Sequence, residues 1–527
     1  MVVTADKGRI RESYLRRDRR ALLAGAFSVF AALIFAAPAE ALDWRLTPSV
    51  DASVTYTDNA GTGDGSDEAL IFRIGPDISL QTYGSRRVQA SLQYGASAVS
   101  RFGDDNSESL SHRLNAVAKS ELVDDFLYLD ASARVSHELI SLFGSPTDSD
   151  LNDSNRALVG AYTVSPYISK RLGSFATAQA RYTASGSVFG DNVAPNANAN
   201  GFSAGLSSGS RFNDVSWGLN YSIRDSRSDT ENTTLERATL QMGYAVTRKF
   251  RVIGTYGQDR NEYLSTSDTD GSSYSIGFGW SPSRRTSMEA SVGERYFGRT
   301  YNLTGRHQAR TTSWSVSYIE DVSDITQQFL SEVNRFFWIC PSGSENVIET
   351  DDLTPPEEGC DGPVSATQLA EYYFGQGFSV ADLLAADLLD IGIANGIYVI
   401  KRFNAGVSWN LGRLVLGMSA FDTRRVYQNL ASAQDQRLGV TWSASYRLTP
   451  RTRANGSLTL GQTQTDALLN GGTERQDENL NISLGVSHRF AEDLSGALVF
   501  RHTQRDSDVV GGNYDSNSLT ASVNMHF

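Results

Sequence analysis

The six histidines are the first side chains to consider for catalysis or metal binding, and their positions argue against both. They are scattered along the chain, at His112, His137, His307, His488, His502 and His526. An enzyme needs a nucleophile with its base, or paired carboxylates, gathered in one place, and none of these histidines lies in a Ser or Cys motif. The sequence therefore predicts no catalytic residues, no cofactor and no enzymatic activity.

Two short segments match ligand-binding motifs only in part. Residues 61–66 are rich in glycine, but no strand-to-helix unit surrounds them, so they are predicted to form a flexible loop. Residues 268–271 have the start of a calcium loop without its closing Glu. A solvated loop tip is the better interpretation, and no metal site is predicted.

The two cysteines, Cys340 and Cys360, are close together in the sequence. In an exported chain, oxidising conditions let a disulfide between them persist. Closing a loop of this size would stabilise the fold by roughly 3 kcal/mol. Metal binding by two isolated thiols is the weaker alternative.

The N-terminal region has the features of a signal peptide. Arginines over 16–20 precede an uncharged stretch over 21–39, and residues 39–41 form a small-x-small cleavage pattern. Residues 1–41 are expected to be removed, although the apolar stretch could also be considered as an uncleaved anchor. After Leu42 no window approaches the ~20 apolar residues that a spanning helix needs. Only a closed β-barrel could therefore place residues 42–527 in a membrane.

Charge and hydropathy agree with an exported barrel. The formal net charge is −13 and the mean hydropathy is −0.32. Residues 1–41 hold seven basic and four acidic side chains, so the processed chain would be more acidic still. Nucleic acid is excluded as an expected partner.

The segment 519–527 (Leu-Thr-Ala-Ser-Val-Asn-Met-His-Phe) alternates apolar and polar side chains. Side chains at i and i+2 of a strand share a face, so one face of this segment is apolar and the other polar. A strand that ends in an aromatic residue resembles the signal read by the bacterial outer-membrane assembly machinery, which implies that Phe527 is the assembly signal. The alternative is a last strand that happens to end in Phe.

Similar rows recur about every 20 to 25 residues from Asp43 onward. A direct count gives 21 of them, and single-chain bacterial barrels close with even numbers. The missing strand is best placed at 299–307, after a tight turn at Gly298. The predicted fold is an all-β, antiparallel transmembrane barrel of about 22 strands, with 18 to 24 as the range.

The lengths of the connections separate a barrel from a soluble sandwich. Short turns are predicted at 84–87, 123–125, 171–173, 247–249 and 281–285. They alternate with longer polar loops at 58–68, 101–110, 137–154, 189–200, 224–234 and 259–272. Short periplasmic turns and longer external loops are typical of outer-membrane barrels, whereas a sandwich has no reason to place its long loops at one end.

The inward rows carry basic side chains among Ser, Thr, Asn and Gln, and these are the candidate residues of the lumen: Arg181, Arg447, Arg489 and Arg501. A polar, partly basic lumen conducts water and hydrophilic solutes. The alternative is that these arginines pair with Asp130 or Glu289 across the wall and only brace it.

Residues 321–396 interrupt the rhythm of strands. They hold 14 acidic residues against one basic residue, and helical apolar spacing occurs over 323–338 and 379–394. This acidic, partly helical insertion is expected to be a lid or plug that restricts passage and favours cations or bridging Ca²⁺. The alternative is a surface loop whose apolar stripes pack on each other.

Several short segments resemble the PEP-CTERM system-associated outer-membrane proteins of the β-barrel porin type 2 group. They occur in the same order as in that family, at 46–50 (Leu-Thr-Pro-Ser-Val), 56–59 (Tyr-Thr-Asp-Asn), 294–301 (Glu-Arg-Tyr-Phe-Gly-Arg-Thr-Tyr), 313–318 (Ser-Trp-Ser-Val-Ser-Tyr) and 401–405 (Lys-Arg-Phe-Asn-Ala). The resemblance covers nearly the whole processed chain. It implies an association with exopolysaccharide production and exosortase-type protein sorting, without defined catalytic residues.

These observations predict a conduit or gated pore in the bacterial outer membrane that serves exopolysaccharide export. The expected partners are outer-membrane lipid and lipopolysaccharide, the barrel assembly machinery, and exopolysaccharide or its export proteins. A non-conducting structural or adhesion barrel that binds polysaccharide through its external loops is the alternative.

Overall fold

A computed structural model of the protein describes residues 43–61, 67–83, 87–103, 106–140, 143, 155–190, 194–228, 231–324, 327, 336–340, 346–350, 361–364, 396–429, 433–469 and 473–527. The first strands are β1 (Asp43–Thr57), β2 (Ala69–Tyr83), β3 (Val88–Gly103), β4 (Ser107–Val123), β5 (Leu127–Leu139), β6 (Arg156–Leu172), β7 (Ala176–Phe189) and β8 (Ala197–Ser208). They are followed by β9 (Val215–Ser228), β10 (Asn232–Thr247), β11 (Phe250–Glu262), β12 (Gly271–Ser283), β13 (Thr286–Arg295), β14 (Gly298–Gln308) and β15 (Thr312–Asp324). The remaining strands are β16 (Phe336–Cys340), β17 (Asn346–Thr350), β18 (Asp361–Val364), β19 (Ile397–Asn410), β20 (Leu414–Tyr427), β21 (Gln434–Thr449), β22 (Thr452–Thr465), β23 (Arg475–Arg489), β24 (Leu494–Ser507) and β25 (Tyr514–His526).

Strands β1–β15 and β19–β25 form one closed, antiparallel ring of 22 strands. Each strand pairs with its neighbours in the chain, β15 pairs with β19, and β25 returns to pair with β1. The predicted number of 22 strands is therefore confirmed. The strand expected at 299–307 is β14, which begins at Gly298 with φ of +116°, a left-handed conformation that glycine adopts readily.

Hydrogen bonds between side chains reinforce the seam at which the ring closes. The hydroxyls of Thr55 and Thr520 lie 2.8 Å apart, and those of Thr57 and Ser516 lie 3.0 Å apart. The backbone N–H of Phe527 donates to the carbonyl of Pro48 at 2.9 Å. Closure pairs the backbone groups of β1 and β25, which an open sheet would leave unsatisfied.

The two faces of the wall differ as the period-2 pattern requires. On β25 the outer row is apolar and accessible, with Leu519 45% and Val523 47% exposed, while the inner row contains Ser518, Thr520 and Ser522. Aromatic contacts occur on the outer face at both ends, as between Phe175 and Trp217 near the turns and between Phe72 and Phe102 near the loops. An apolar band flanked by aromatic side chains is the surface that a bilayer covers.

The connections follow the predicted alternation. On one side of the ring, the turn end, adjacent strands are joined by short turns such as 124–126, 248–249 and 284–285. The other side, the external end, carries the longer connections. Two predicted loops are shorter than expected, because β3 and β4 leave only 104–106 between them, and β9 and β10 leave only 229–231. The strands continue past the apolar band, where the outward side chains no longer need to be apolar.

The insertion lies between Asp324 and Ile397, which are register partners on β15 and β19. The helix predicted over 323–338 is wrong at both described ends. Ser323 and Asp324 close β15, and the apolar run that begins at Phe336 forms β16, which pairs with β17 and β18 in a separate small sheet. Short apolar runs fit helix and strand spacing equally well, so the pattern alone did not decide. The segment 379–394 lies outside the described residues, whose helices include none long and apolar enough to cross a membrane.

Candidate functional site: the inner wall

The register of the strands assigns every inner row, because side chains that face the lumen on one strand pair with lumen-facing side chains on the next. For example, Thr441 on β21 pairs with Thr459 on β22, and Ser457 on β22 pairs with Ser483 on β23. Most inner positions of these strands are Ser, Thr, Asn or Gly, whose short side chains keep the surface flat and polar. Longer inner side chains are mainly arginines, and their distribution divides the wall into two parts.

We call the inner rows of β1–β15 the paired arc, because its arginines lie beside carboxylates. The closest contacts between guanidinium nitrogens and carboxylate oxygens are Arg73–Asp51 at 3.5 Å, Arg113–Asp77 at 2.7 Å, Arg134–Glu138 at 3.2 Å, Arg181–Asp130 at 2.8 Å and Arg251–Glu289. Opposite charges held this close cancel most of the local field.

Asp259 on β11 is the centre of the largest charge cluster in the paired arc. Its carboxylate accepts a hydrogen bond from Arg295 at 3.0 Å and lies 3.7 Å from the Nε of Arg237. Arg295 also donates to Asp321 at 2.8 Å. Asp259 is only 1% exposed, so its charge depends on these partners for compensation.

We call the inner rows of β19–β25 the basic arc. Within these described strands the inner positions include nine arginines, namely Arg402, Arg425, Arg437, Arg447, Arg453, Arg475, Arg489, Arg501 and Arg505. Only two inner positions of the same strands are acidic, Asp435 and Asp477. A chain with a net charge of −13 therefore presents a strongly basic surface to its lumen.

The arginines of the basic arc occupy three levels. At the external end, Arg425 donates to Asp435 at 2.8 Å, and Arg475 makes a bidentate contact with Asp477. At the middle level, Arg402 and Arg437 flank Thr423, and Arg501 pairs with Ser483. At the turn end, Arg447 pairs directly with Arg453, and Arg489 is two residues beyond Ser487, the next partner of Arg453. Both carboxylates of the arc are at the external level.

The structure separates the predicted lumen residues into the two arcs. Arg181 pairs with Asp130 and lies 3.9 Å above the ring of Tyr167, so the bracing alternative applies to it. Arg447, Arg489 and Arg501 belong to the basic arc, and Glu289 pairs with Arg251 instead of with any of them. Sequence reasoning missed six arginines of this arc, namely Arg402, Arg425, Arg437, Arg453, Arg475 and Arg505. Their alternation with Ser, Thr and Asn on the same rows was the signal that could have found them.

The two ends of the barrel carry opposite charge. The described residues of the external connections include nine carboxylates and no Lys or Arg: Asp58, Asp67, Glu68, Glu231, Asp268, Asp270, Asp466, Glu474 and Asp508. The described residues of the turns include nine basic side chains: Arg87, Arg211, Arg248, Lys249, Arg284, Arg285, Arg310, Arg413 and Arg451. The same turns hold five carboxylates: Asp124, Asp125, Asp214, Glu492 and Asp493.

Connections at the external end reach distant parts of the wall. The carbonyl of Phe143, in the β5–β6 connection, accepts hydrogen bonds from Arg475 at 3.2 Å and from Arg505 at 3.0 Å. The guanidinium of Arg475 also lies 4.7 Å from the Phe143 ring. In the β11–β12 connection, the backbone N–H of Thr266 donates to the carbonyl of Gln428 after β20. The external mouth is thus narrowed by loops, in contrast to the ring of short turns.

Two tyrosines beside the Asp259 cluster are buried outside the strands. The hydroxyls of Tyr263 and Tyr296 lie 3.1 Å apart. Burial raises the pKa of both phenols above the ordinary value, because the phenolate would be desolvated. The pair therefore stays protonated and acts only as a neutral hydrogen-bonding contact.

Other predicted sites remain separate. The described histidines have individual partners on different strands, as His307 does with Thr286 at 2.7 Å and His488 with Thr452 at 2.9 Å. The part of the chain that the structure describes contains no group of three His, Cys, Asp or Glu side chains that could hold a metal ion. Cys360 lies outside the described residues, so the disulfide with Cys340 stays a prediction. Phe527 is 67% exposed at the end of the outer row of β25, and its role in assembly also stays a prediction.

The closed ring, its apolar outer band and its polar inner wall define the class: this is a transmembrane β-barrel of the bacterial outer membrane. Neither a protein-family profile nor a curated protein sequence matches the chain.

Solved outer-membrane receptors share the general architecture. The siderophore receptor PirA from Pseudomonas aeruginosa is 10% identical, with a TM-score of 0.44 over 93% of this chain and 81% of that one. PirA from Acinetobacter baumannii is 9% identical with a TM-score of 0.46 over the same shares. The FrpB iron transporter from Neisseria meningitidis is 11% identical, with a TM-score of 0.47 over 91% and 81%. With TM-scores below 0.5, these matches support no inference about what this barrel binds.

Proposed function

We propose that the protein is a conduit through the outer membrane for a hydrophilic solute. The observation that carries this proposal is the inner wall, where Ser, Thr, Asn and Arg occupy nearly all inner positions of β21–β25. A ring of 22 strands is too wide for such short side chains to fill. The inner face favours water and polar solutes, and the outer face favours lipid.

The resemblance to PEP-CTERM system-associated proteins supports a narrower proposal, that the solute is an exopolysaccharide or a related envelope polymer on its way out. Its most direct test is polymer profiling of a gene-deletion strain. Loss of secreted polymer is expected. Unchanged polymer together with altered uptake of small solutes would contradict the export role and leave a general pore.

Conductance of the purified protein in planar bilayers tests the conduit itself. Discrete current steps are expected in salt solution. A folded barrel, identified by heat-modifiable migration in gels, that gives no current would favour the structural or adhesion alternative.

We propose further that the insertion between β15 and β19 restricts passage. Because Asp324 and Ile397 are register partners, residues 325–396 can be replaced by a two-residue Asn-Gly turn without breaking the ring. The shortened barrel is expected to conduct more than the full chain. Equal conductance of the two proteins would reject the restricting role.

A further inference from the structure

The turn level of the basic arc places like charges side by side. Arg447 and Arg453 are direct register partners, and Arg489 lies one inner position beyond Ser487, which pairs with Arg453. Like charges directly opposite each other on a sheet are destabilising unless something compensates them. The acidic residues Glu492 and Asp493 lie in the β23–β24 turn and not on the inner rows. Three guanidiniums arranged in this way are suited to bidentate contacts with oxyanions.

The surface between the arginine levels is rich in short hydroxyl and amide side chains. On β22 and β23 the inner positions below the middle level include Asn455, Ser457, Asn481, Ser483 and Ser487. These groups donate and accept hydrogen bonds without blocking the lumen. A solute that carries both hydroxyls and anionic groups matches this pattern better than a simple salt ion does.

The charge at the two ends gives the surface a direction. The turns are rich in Arg and Lys, whereas the described external connections hold only carboxylates. A charged opening concentrates counter-ions at its own side and repels ions of like charge. An anionic chain therefore enters more readily at the turn end, meets the arginine levels in succession, and leaves past acidic loops.

We propose that the basic arc is a track for an acidic polysaccharide, with Arg447, Arg453 and Arg489 as the capture site at the turn end. This inference rests on the proposed conduit and names the chemical class of its solute. The recognised groups are the sugar hydroxyls and the carboxylates of the polymer, and the direction of entry is from the turn end towards the loops.

The test compares short oligogalacturonates with neutral dextran fragments of matched length. Binding to the detergent-solubilised full-length protein is measured for the wild type, for the variant R447Q/R453Q/R489Q, and for the control R284Q/R285Q/R310Q. The control removes the same charge from turns at another part of the rim. Heat-modifiable migration confirms that each variant is folded.

The wild type and the control are expected to bind oligogalacturonate and not dextran, with affinity that falls as salt rises. The capture-site variant is expected to bind about tenfold more weakly, because the local field is lost. R447K/R453K/R489K, which keeps the charge but not the bidentate geometry, is expected to fall between them. Equal oligogalacturonate binding by the wild type and the capture-site variant would overturn the inference, and so would equal binding of dextran.

Bilayer currents distinguish failure of this inference from failure of the conduit. Oligogalacturonate added at the turn end is expected to reduce current at lower concentration than when added at the loop end. If the wild type binds oligogalacturonate through the three arginines but conducts no current, the conduit is wrong and the capture site stands. If it conducts without anion preference and without block, the conduit stands and the track is wrong.

Discussion

The paired arc and the basic arc have the same backbone, the same strand pairing and the same outer face, but they use arginine differently. In the paired arc each guanidinium described above lies beside a carboxylate, as Arg113 lies beside Asp77 at 2.7 Å. In the basic arc the carboxylates are confined to the external level. The first arrangement makes a wall that is internally neutral, and the second makes a surface that is neutralised fully only by something that enters the lumen.

The largest expected effect comes from breaking the paired arc at its centre. Asp259→Asn removes the carboxylate shared by Arg237 and Arg295, so two partly buried guanidiniums lose their partner. A loss of roughly 3 kcal/mol in the free energy of unfolding is expected. Urea titration of the folded band in gels measures it, with the loop-tip variant Asp268→Asn as the control. Equal midpoints for the two variants would show that the pairing does not stabilise the wall.

Adding a carboxylate to the basic arc should have the opposite sign. Ser483 is the register partner of Arg501, so Ser483→Asp supplies a counter-charge across the strand pair. Stability is expected to stay equal or to rise by about 0.5 kcal/mol, while oligogalacturonate binding weakens. Ser483→Asn is the uncharged control. A marked loss of stability in the Asp variant alone would mean that the arc is already neutralised.

The contact between Phe143 and the external level of the basic arc is expected to contribute less. Phe143→Ala removes the ring beside Arg475 and keeps the backbone carbonyl that both arginines contact. The loss is expected to be about 0.5–1 kcal/mol of local stability. It should be visible as larger current fluctuations without a change in the unfolding midpoint. Leu264→Ala, in another external connection, is the matched control and should leave the fluctuations unchanged.

The smallest effect concerns the tyrosine pair near the paired arc. Burial raises the pKa of Tyr263 and Tyr296, so the folded protein keeps protons that the unfolded chain releases near pH 10. Their contribution to stability is complete below that pH and is lost as the pH rises above it. The unfolding midpoint of the wild type should fall between pH 9 and pH 11 more than that of Y263F/Y296F. Parallel curves would contradict a buried, protonated pair.

The ring could be predicted from the sequence because its signal is local. Alternation with period 2 marks each strand, and the even number of strands placed β14 correctly although its apolar row is short. The two arcs could not be predicted, because they depend on register between strands. Arg453 faces Arg447 only once β21 and β22 are aligned, and Arg181 meets Asp130 only across the intervening β6.

The insertion failed for a related reason. The apolar spacing around Phe336 matched a helix, but the choice of strand depends on a partner segment, β17, that lies further along the chain. Pairing with a remote segment leaves no trace in a short window of sequence.

The seam between β1 and β25 has a consequence for biosynthesis. A ring has no edge strands, whereas a copy that has not yet joined its first strand to its last presents two rows of unpaired backbone groups. Such a copy could recruit a neighbouring copy in place of itself and form an aggregate. The inter-strand hydroxyl contacts at Thr55 and Thr57 therefore favour a chain that closes on its own end, and they protect the cell during the interval when the protein is most adhesive.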